Sequence, residues 1–150
     1  MTGALHATAI EIDGQAILLI GVSGSGKSDL ALRLIDRGAK LVGDDAVLCQ
    51  ESDGALRVIG ATPLSGRLEV RGVGIFEMDA AKQSPLRLIV DLGGDGVRHP
   101  ESWPLREVAG WSVPILRLNG FAASAPIKIE LALKSVVDEG LQPVRLPVLP

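Results

Sequence analysis

Apolar and polar residues alternate in short, regular patterns at the start of the chain, and these patterns predict strands. Residues 9–12 alternate apolar and polar side chains, and residues 16–20 form a continuous apolar run. Asp13 and Gly14 stand between them, which is a strong signal for a hairpin of two antiparallel strands. A continuous apolar run of this length is typical of a strand that is buried on both faces.

A helix and another strand are predicted next. Apolar residues recur at helical spacing between positions 30 and 35, and the pattern stops at Gly38, a typical residue just past a helix end. Residues 40–45 then form a short strand pattern that ends in Asp44 and Asp45. If this strand completes a βαβ unit, its carboxyl end lies at the sheet edge where the first helix begins.

The pattern is more broken further along the chain. Residues 47–49 and 56–59 flank a turn and predict a second hairpin, and residues 67–77 predict a bulged strand or a strand-turn-strand. Residues 86–92 and 115–118 predict strands, and residues 126–139 predict a helix. Residues 93–112 are expected to form a substrate-facing loop or a Trp-anchored connection. The tail, residues 141–150, is expected to be extended and to pack on something, such as another subunit.

Composition narrows the class of protein. A chain of 150 residues has room for one domain, and none of its apolar segments approaches the roughly 18–20 residues needed to span a bilayer. Without signal-peptide features, we expect a cytoplasmic protein with no membrane partner. A net charge of −3 and few aromatic residues argue against nucleic-acid binding and predict that an adenine would rest on aliphatic surface. The lone Cys49 is expected to be an apolar strand residue rather than a nucleophile.

The segment between the predicted strand and helix fits the phosphate-loop pattern G-x-x-x-x-G-K-[ST]. Its residues are Gly21, Val22, Ser23, Gly24, Ser25, Gly26, Lys27 and Ser28. The glycines allow backbone N–H groups to curl around a phosphate chain at the positive end of the helix. Lys27 is expected to reach the β- and γ-phosphates, and Ser28 to ligate Mg²⁺. A turn that binds nothing would have no use for the Lys-Ser pair. The sequence therefore predicts an α/β, P-loop nucleotide-binding fold with a mixed sheet.

The aspartate pair at the end of the next strand is a candidate for two tasks. One of Asp44 and Asp45 can hold Mg²⁺, and the other can accept the proton of an attacking hydroxyl. The alternative is an Asp-Asp turn between two strands. His6, close to the start of the chain, would by itself be a solvated residue.

Together these segments resemble the catalytic domain of bacterial HPr kinase/phosphorylase, a family that phosphorylates a serine of the phosphotransferase carrier HPr and can remove that phosphate again. The matching features are His6 before the hairpin, the phosphate loop, the aspartate pair, and residues 68–75. The last segment contains the family's signature residues Glu69, Arg71, Gly72 and Gly74. The combination is specific, whereas a phosphate loop alone identifies no family.

The resemblance implies an ATP- and Mg²⁺-dependent serine kinase that acts on an HPr-like carrier, with the reverse phosphorylase reaction as an additional activity. Asp45 or Asp44 would be the base, with the other near Mg²⁺, and His6 would tune the pair. Glu69 would face the metal and phosphates, while Arg71 would support the signature segment or the transferred phosphoryl group. The family's hexamer is expected, but not the N-terminal regulatory domain of its long form.

The second half of the chain departs from this family. Residues 118–126 replace its basic, glycine-containing loop and its R-N stretch, which leaves Arg98, Arg106 and Arg117 as candidates for gripping a protein substrate or inorganic phosphate. Two other interpretations stay open. One is a P-loop small-molecule kinase, for which an arginine-bearing lid is expected, and the other is a non-catalytic nucleotide-sensing regulatory domain.

Overall fold

The computed structural model describes residues 3–94 and 102–147, which form a large mixed sheet, two helices and a separate two-stranded hairpin. The strands are β1 (Gly3–Leu5), β2 (Thr8–Ile12), β3 (Gln15–Ile20), β4 (Lys40–Gly43), β5 (Val47–Ser52), β6 (Ala55–Gly60), β7 (Arg67–Val70), β8 (Gly74–Glu77), β9 (Gln83–Asp91), β10 (Leu105–Val108), β11 (Trp111–Arg117) and β12 (Val144–Arg145). The helices are α1 (Lys27–Asp36) and α2 (Ala125–Asp138).

The large sheet branches at its longest strand, β9. Its first part, residues 83–85, pairs antiparallel with β6, and residues 86–91 pair parallel with β3. On the side of β9 opposite β3, residues 89–91 pair parallel with β11, which also pairs with β10 and β12. The sheet order is otherwise β1-β5-β6-β9-β3-β2-β4. The predicted α/β class with a mixed sheet is confirmed.

The predicted hairpin before the phosphate loop is confirmed as β2 and β3. They pair antiparallel, and Asp13 and Gly14 form the turn with φ values of 51° and 77°, as expected for a tight two-residue turn. Strand β4 pairs antiparallel with β2, so it runs in the same direction as β3 with β2 between them. The chain therefore crosses through α1 as in a βαβ unit but skips one strand. The ends of β3 and β4 still lie at one sheet edge.

Two hydrophobic clusters lie on opposite faces of this sheet. The helix-side cluster packs α1 and α2 on the sheet and includes Ile10, Ile17, Leu19, Leu30, Leu34, Leu68, Leu88, Val90, Ile129 and Leu133. The opposite cluster lies under β5 and β6 and includes Ala9, Ala16, Leu18, Cys49, Val58, Ile89, Trp111 and Val113. Strand β3 is buried on both faces, as predicted, and Cys49 is a buried strand residue, as predicted.

From residue 67 onward, the observed elements agree with the predicted ones only in part. Residues 67–77 form a strand-turn-strand, and α2 lies within one residue of its predicted bounds. The loop prediction for residues 93–112 is wrong for its last part, because β10 and the start of β11 form a hairpin there, and residues 95–101 lie outside the described part of the chain. Strand β10 is largely exposed, so its sequence lacks an apolar alternation. The extended tail pairs through β12 with β11 of the same chain.

Neither helix is long and apolar enough to cross a membrane, within the part of the chain that the structure describes.

Candidate active site

The phosphate-loop segment connects the end of β3 to the start of α1. Gly26, which precedes the first helical residue, has φ 96°, a conformation that favours glycine. Gly21 allows a close approach within the loop, because a Cβ atom there would lie 2.5 Å from Ser25 Oγ. Among the side chains that the structure describes, Ser25 Oγ is the buried polar atom without a hydrogen-bond partner. The loop thus combines a compact backbone with the positive end of a helix.

The last two residues of the motif are held by different partners. Lys27 is only 7% exposed, and its Nζ donates hydrogen bonds to the carbonyl oxygens of Gly21 (2.7 Å) and Val22 (3.2 Å). Its ammonium group is therefore fixed against the loop. The hydroxyl of Ser28 donates a hydrogen bond of 2.7 Å to Asp44 Oδ1. This bond joins the start of α1 to the end of β4.

The two aspartates have different surroundings although they are adjacent in the chain. Asp44 is half-buried and also accepts hydrogen bonds from Thr8 Oγ1 (3.0 Å) and from the backbone N–H of Glu69 (3.4 Å). Asp45 is exposed, and its Oδ1 lies 3.3 Å from Nε2 of His6. Its φ of 68° is uncommon for a residue other than glycine and requires support from its surroundings. Asp44 is thus committed to several donors, whereas Asp45 is available to a ligand.

These elements border one cleft of about 510 Å³. Its lining residues are Ser23, Gly24, Gly26, Lys27, Ser28, Asp29, Leu32, Asp44, Asp45, Glu69, Val70, Arg71 and Phe121. The cleft therefore brings together most of the phosphate loop, both aspartates and three residues of the β7–β8 hairpin. Lys27 and Arg71 supply positive charge beside four carboxylates.

Other predicted residues lie outside the cleft lining. Gly21, Val22 and Ser25 belong to the loop without lining the cleft, and Gly72 and Gly74 shape the turn and start of β8. His6 contacts Asp45 from outside the lining.

Of the arginines proposed to grip a substrate, Arg106 and Arg117 lie in the described part of the chain, and neither lines the cleft. Arg117 Nε lies 3.7 Å from Asp91 Oδ2, and Arg106 is exposed on β10. Arg98 lies outside the described residues.

Sequence reasoning missed several residues of this site. Thr8 is fully buried, and its hydroxyl donates to Asp44 and accepts a 3.3 Å hydrogen bond from the backbone N–H of Asp45. A single threonine in a strand carries no motif signal. Phe121 follows β11 and is 64% exposed at the cleft. The expectation of a purely aliphatic surface for an adenine therefore overlooked an aromatic ring.

The donor set suits Mg²⁺ better than a metal that needs many protein ligands. In residues 3–94 and 102–147, His, Cys, Asp and Glu side chains form no cluster of three or more that could hold a metal ion. Mg²⁺ commonly uses one or two protein oxygen ligands and completes its shell with phosphates and water. Ser28 and Asp44, whose oxygens are 2.7 Å apart, fit that requirement.

Comparison with known proteins gives a consistent result. The family described as "HPr Serine kinase C-terminal domain" matches residues 1–83. The HPr kinase/phosphorylase of Clostridium botulinum (strain Eklund 17B / Type B) is 50% identical over 76 residues, which cover 49% of this chain and 24% of that protein. The HPr kinase/phosphorylase of Clostridium tetani is 45% identical over 102 residues, or 66% of this chain and 32% of that protein. The matches thus span about a quarter to a third of these relatives.

A solved structure shares the fold over nearly the whole chain. The HPr(Ser) kinase/phosphatase from Coxiella burnetii superposes with a TM-score of 0.79 at 24% sequence identity. The match covers 92% of this chain and 93% of that one. The shared fold therefore extends beyond residue 83, where the family match ends.

Proposed function

Because the chain belongs to the HPr serine kinase C-terminal domain family, we propose that it is an ATP-dependent serine kinase that phosphorylates HPr or a related phosphotransferase-system carrier. The observation that carries this proposal is the 2.7 Å hydrogen bond between Ser28 and Asp44. It joins the phosphate loop to the aspartate pair in one cleft, where both a nucleotide and an attacking hydroxyl can be held.

The loop residues bind and orient the nucleotide in this proposal. Backbone N–H groups of residues 21–28 surround the phosphate chain, and Lys27 exchanges its bonds to the loop carbonyls for the β- and γ-phosphates. Ser28 and Asp44 would hold Mg²⁺, which would supply positive charge beside the phosphates. Phosphoryl transfer needs mainly positioning and charge neutralisation, and these groups supply both.

Asp45 is the proposed base. In the kinase direction the serine oxygen of the carrier bonds to the γ-phosphorus, the bond from that phosphorus to the β,γ-bridging oxygen breaks, and the serine proton moves to Asp45. Asp45 suits this task because it is exposed and lies beside His6, whereas Asp44 already accepts several hydrogen bonds. In the phosphorylase direction an oxygen of inorganic phosphate would bond to the phosphorus of phosphoserine and give its proton to Asp45. The bond from that phosphorus to the serine oxygen would break, and Asp45 would give the proton to the serine oxygen. Arg71, at the cleft, supports the transferred phosphoryl group.

One observation favours a second candidate, the nucleotide-sensing domain without catalysis. In the described part of the second half, Arg106 and Arg117 do not line the cleft, so the grip on a protein substrate rests on fewer groups. This candidate predicts nucleotide binding without transfer. The hexamer, the cytoplasmic location and the single-domain organisation stay predictions.

The kinase proposal is tested by incubating purified protein with purified HPr, Mg²⁺ and ATP, and by measuring the intact mass of HPr. We expect one added phosphate on serine, which is lost with Lys27→Ala and with Asp45→Asn. Lys40→Ala is the matched control, because Lys40 is exposed at the start of β4, away from the loop. Nucleotide binding without transfer would support the sensor. A Lys27→Ala protein that phosphorylates HPr at the wild-type rate would contradict the role proposed for the phosphate loop.

A further inference from the structure

We propose that Phe121 is the surface on which the nucleobase stacks, a role that rests on the nucleotide binding proposed above. Phe121 lies in residues 118–126, the stretch that replaces the family's basic loop. It lines the same cleft as the phosphate loop and both aspartates. Its ring packs on the loop itself, because a Cβ atom on Gly26 would lie 3.0 Å from Phe121 Cε1.

The sheet topology places Phe121 on the side where the base belongs. On one side of β3 lie β2 and then β4, which ends at Asp44 and Asp45. On the other side lie β9 and then β11, which is followed by Phe121. All of β3, β4, β9 and β11 end at one edge of the sheet. A nucleotide whose terminal phosphate faces the aspartates therefore directs its base toward the β11 side.

The segment that carries Phe121 is fixed to the phosphate-loop helix. Arg33 of α1 donates hydrogen bonds to the carbonyl oxygens of Gly120 and Ala122, the latter at 3.1 Å. Asn119 Oδ1 accepts a 3.0 Å hydrogen bond from the backbone N–H of Phe121. Gly120 packs directly on the loop, since a Cβ atom there would lie 3.2 Å from the carbonyl oxygen of Ser25. The backbone on both sides of the ring is thus anchored to α1 and to the phosphate loop.

Phe121 presents an exposed aromatic ring to a cleft that is lined mostly by polar residues. Phe121 remains 64% exposed although its backbone is anchored, so it leaves apolar surface facing the cleft. Stacking on a base covers such surface, and it tolerates different bases because every base has a π-face. Phe121 offers no hydrogen bond that reads a base edge. The inference therefore includes similar affinities for ATP and GTP.

The test compares ligands with and without a base by isothermal titration calorimetry of the folded, full chain. The ligands are ATP and inorganic tripolyphosphate, each with Mg²⁺. Phe121→Ala is expected to raise the ATP dissociation constant about tenfold and to leave the tripolyphosphate constant unchanged. Phe121→Tyr keeps a stacking face and is expected to bind ATP like the wild type. Phe76→Ala is the matched control, because Phe76 is also exposed but lies on β8 outside the cleft lining.

The outcomes separate this inference from the proposed function. If the wild type binds ATP and Phe121→Ala binds it equally well, the stacking role is wrong and the kinase proposal stands. Equal losses for ATP and tripolyphosphate would also overturn the stacking role, because Phe121 would then support the loop rather than the base. If the wild type binds neither ligand, the proposed nucleotide function itself fails.

Discussion

At the scale of single residues, Thr8 forms hydrogen bonds with both aspartates of the site. Its hydroxyl donates to the side chain of Asp44 and accepts from the backbone N–H of Asp45, which has the uncommon positive φ. A buried hydroxyl with both of its bonds made at the site is a positioning group rather than a catalytic one. Its loss removes one of the hydrogen bonds that hold Asp44 and the bond that holds the backbone of Asp45.

Thr8→Val removes this hydroxyl and keeps the shape of the side chain. With HPr phosphorylation as the assay, we expect kcat to fall about tenfold while the dissociation constant of ATP changes little, because hydrogen bonds to charged groups are worth about 1.5–3 kcal/mol. Thr8→Ser keeps the hydroxyl and is expected to retain most of the activity. An equal loss of kcat in Thr8→Ser would indicate that packing of the methyl group matters instead.

The buried thiol of Cys49 is expected to make the folded protein less stable at alkaline pH. Burial raises the pKa of the Cys49 thiol from its ordinary 9.0 to about 12. Above pH 9 the unfolded chain loses the thiol proton while the folded chain keeps it, so stability present below pH 9 is lost as the pH rises towards 12. From pH 8 to pH 10, urea denaturation should show about 1.4 kcal/mol more loss for the wild type than for Cys49→Ala. Equal losses in both proteins would contradict the prediction.

At the scale of elements, Arg33 connects α1 to the segment after β11. Besides the two carbonyl oxygens, its guanidinium lies 3.1 Å from Asp29, one turn earlier on the same helix. Arg37, one turn later, instead pairs with Glu130 of α2, also at the surface. The two arginines therefore tie the same helix to different partners, and only Arg33 acts next to the cleft.

Arg33→Ala is expected to weaken ATP binding about three- to tenfold and to lower stability by about 1–2 kcal/mol, because two backbone carbonyls lose a shared donor. Arg33→Lys should not restore binding, since one ammonium group lacks the planar fork that reaches both oxygens. Calorimetry and urea denaturation provide the measurements. Arg37→Ala is the control and should bind ATP normally. If it weakens ATP binding as much as Arg33→Ala, the effect comes from helix α1 in general.

The elements also show what local sequence can and cannot predict. The turn at Asp13 and Gly14, the strand before the phosphate loop and the first helix depend on local chemistry, and the structure has them as predicted. The β10–β11 hairpin was not predicted, because its outer strand is exposed and shows no alternation of apolar and polar residues. The positions of Thr8 and Phe121 in the site depend on which distant segments pack together. A single sequence without such contacts gives no local signal for either.

At the scale of the whole molecule, the two hydrophobic clusters share their strands. On β3, Ile17 belongs to the helix-side cluster and Leu18 to the opposite cluster. On β9, Leu88 belongs to the helix-side cluster and Ile89 to the opposite cluster. Neither cluster can lose these strands without exposing the other. The prediction of one domain therefore becomes a prediction of one cooperative unfolding transition.

The two tryptophans of the chain make this testable, because they report on different faces of the sheet. Trp103 packs against the helix-side cluster, whereas Trp111 belongs to the opposite cluster. In Trp103→Phe and in Trp111→Phe, the fluorescence of the remaining tryptophan and the far-UV circular dichroism of the same variant should show one urea midpoint. Any destabilisation by the substitution shifts both signals together, so only their separation carries information. A fluorescence transition of Trp111 at a lower urea concentration than the loss of helix would show that β5 and β6 detach first. The strands shared between the clusters would then not make the two faces of the sheet unfold together.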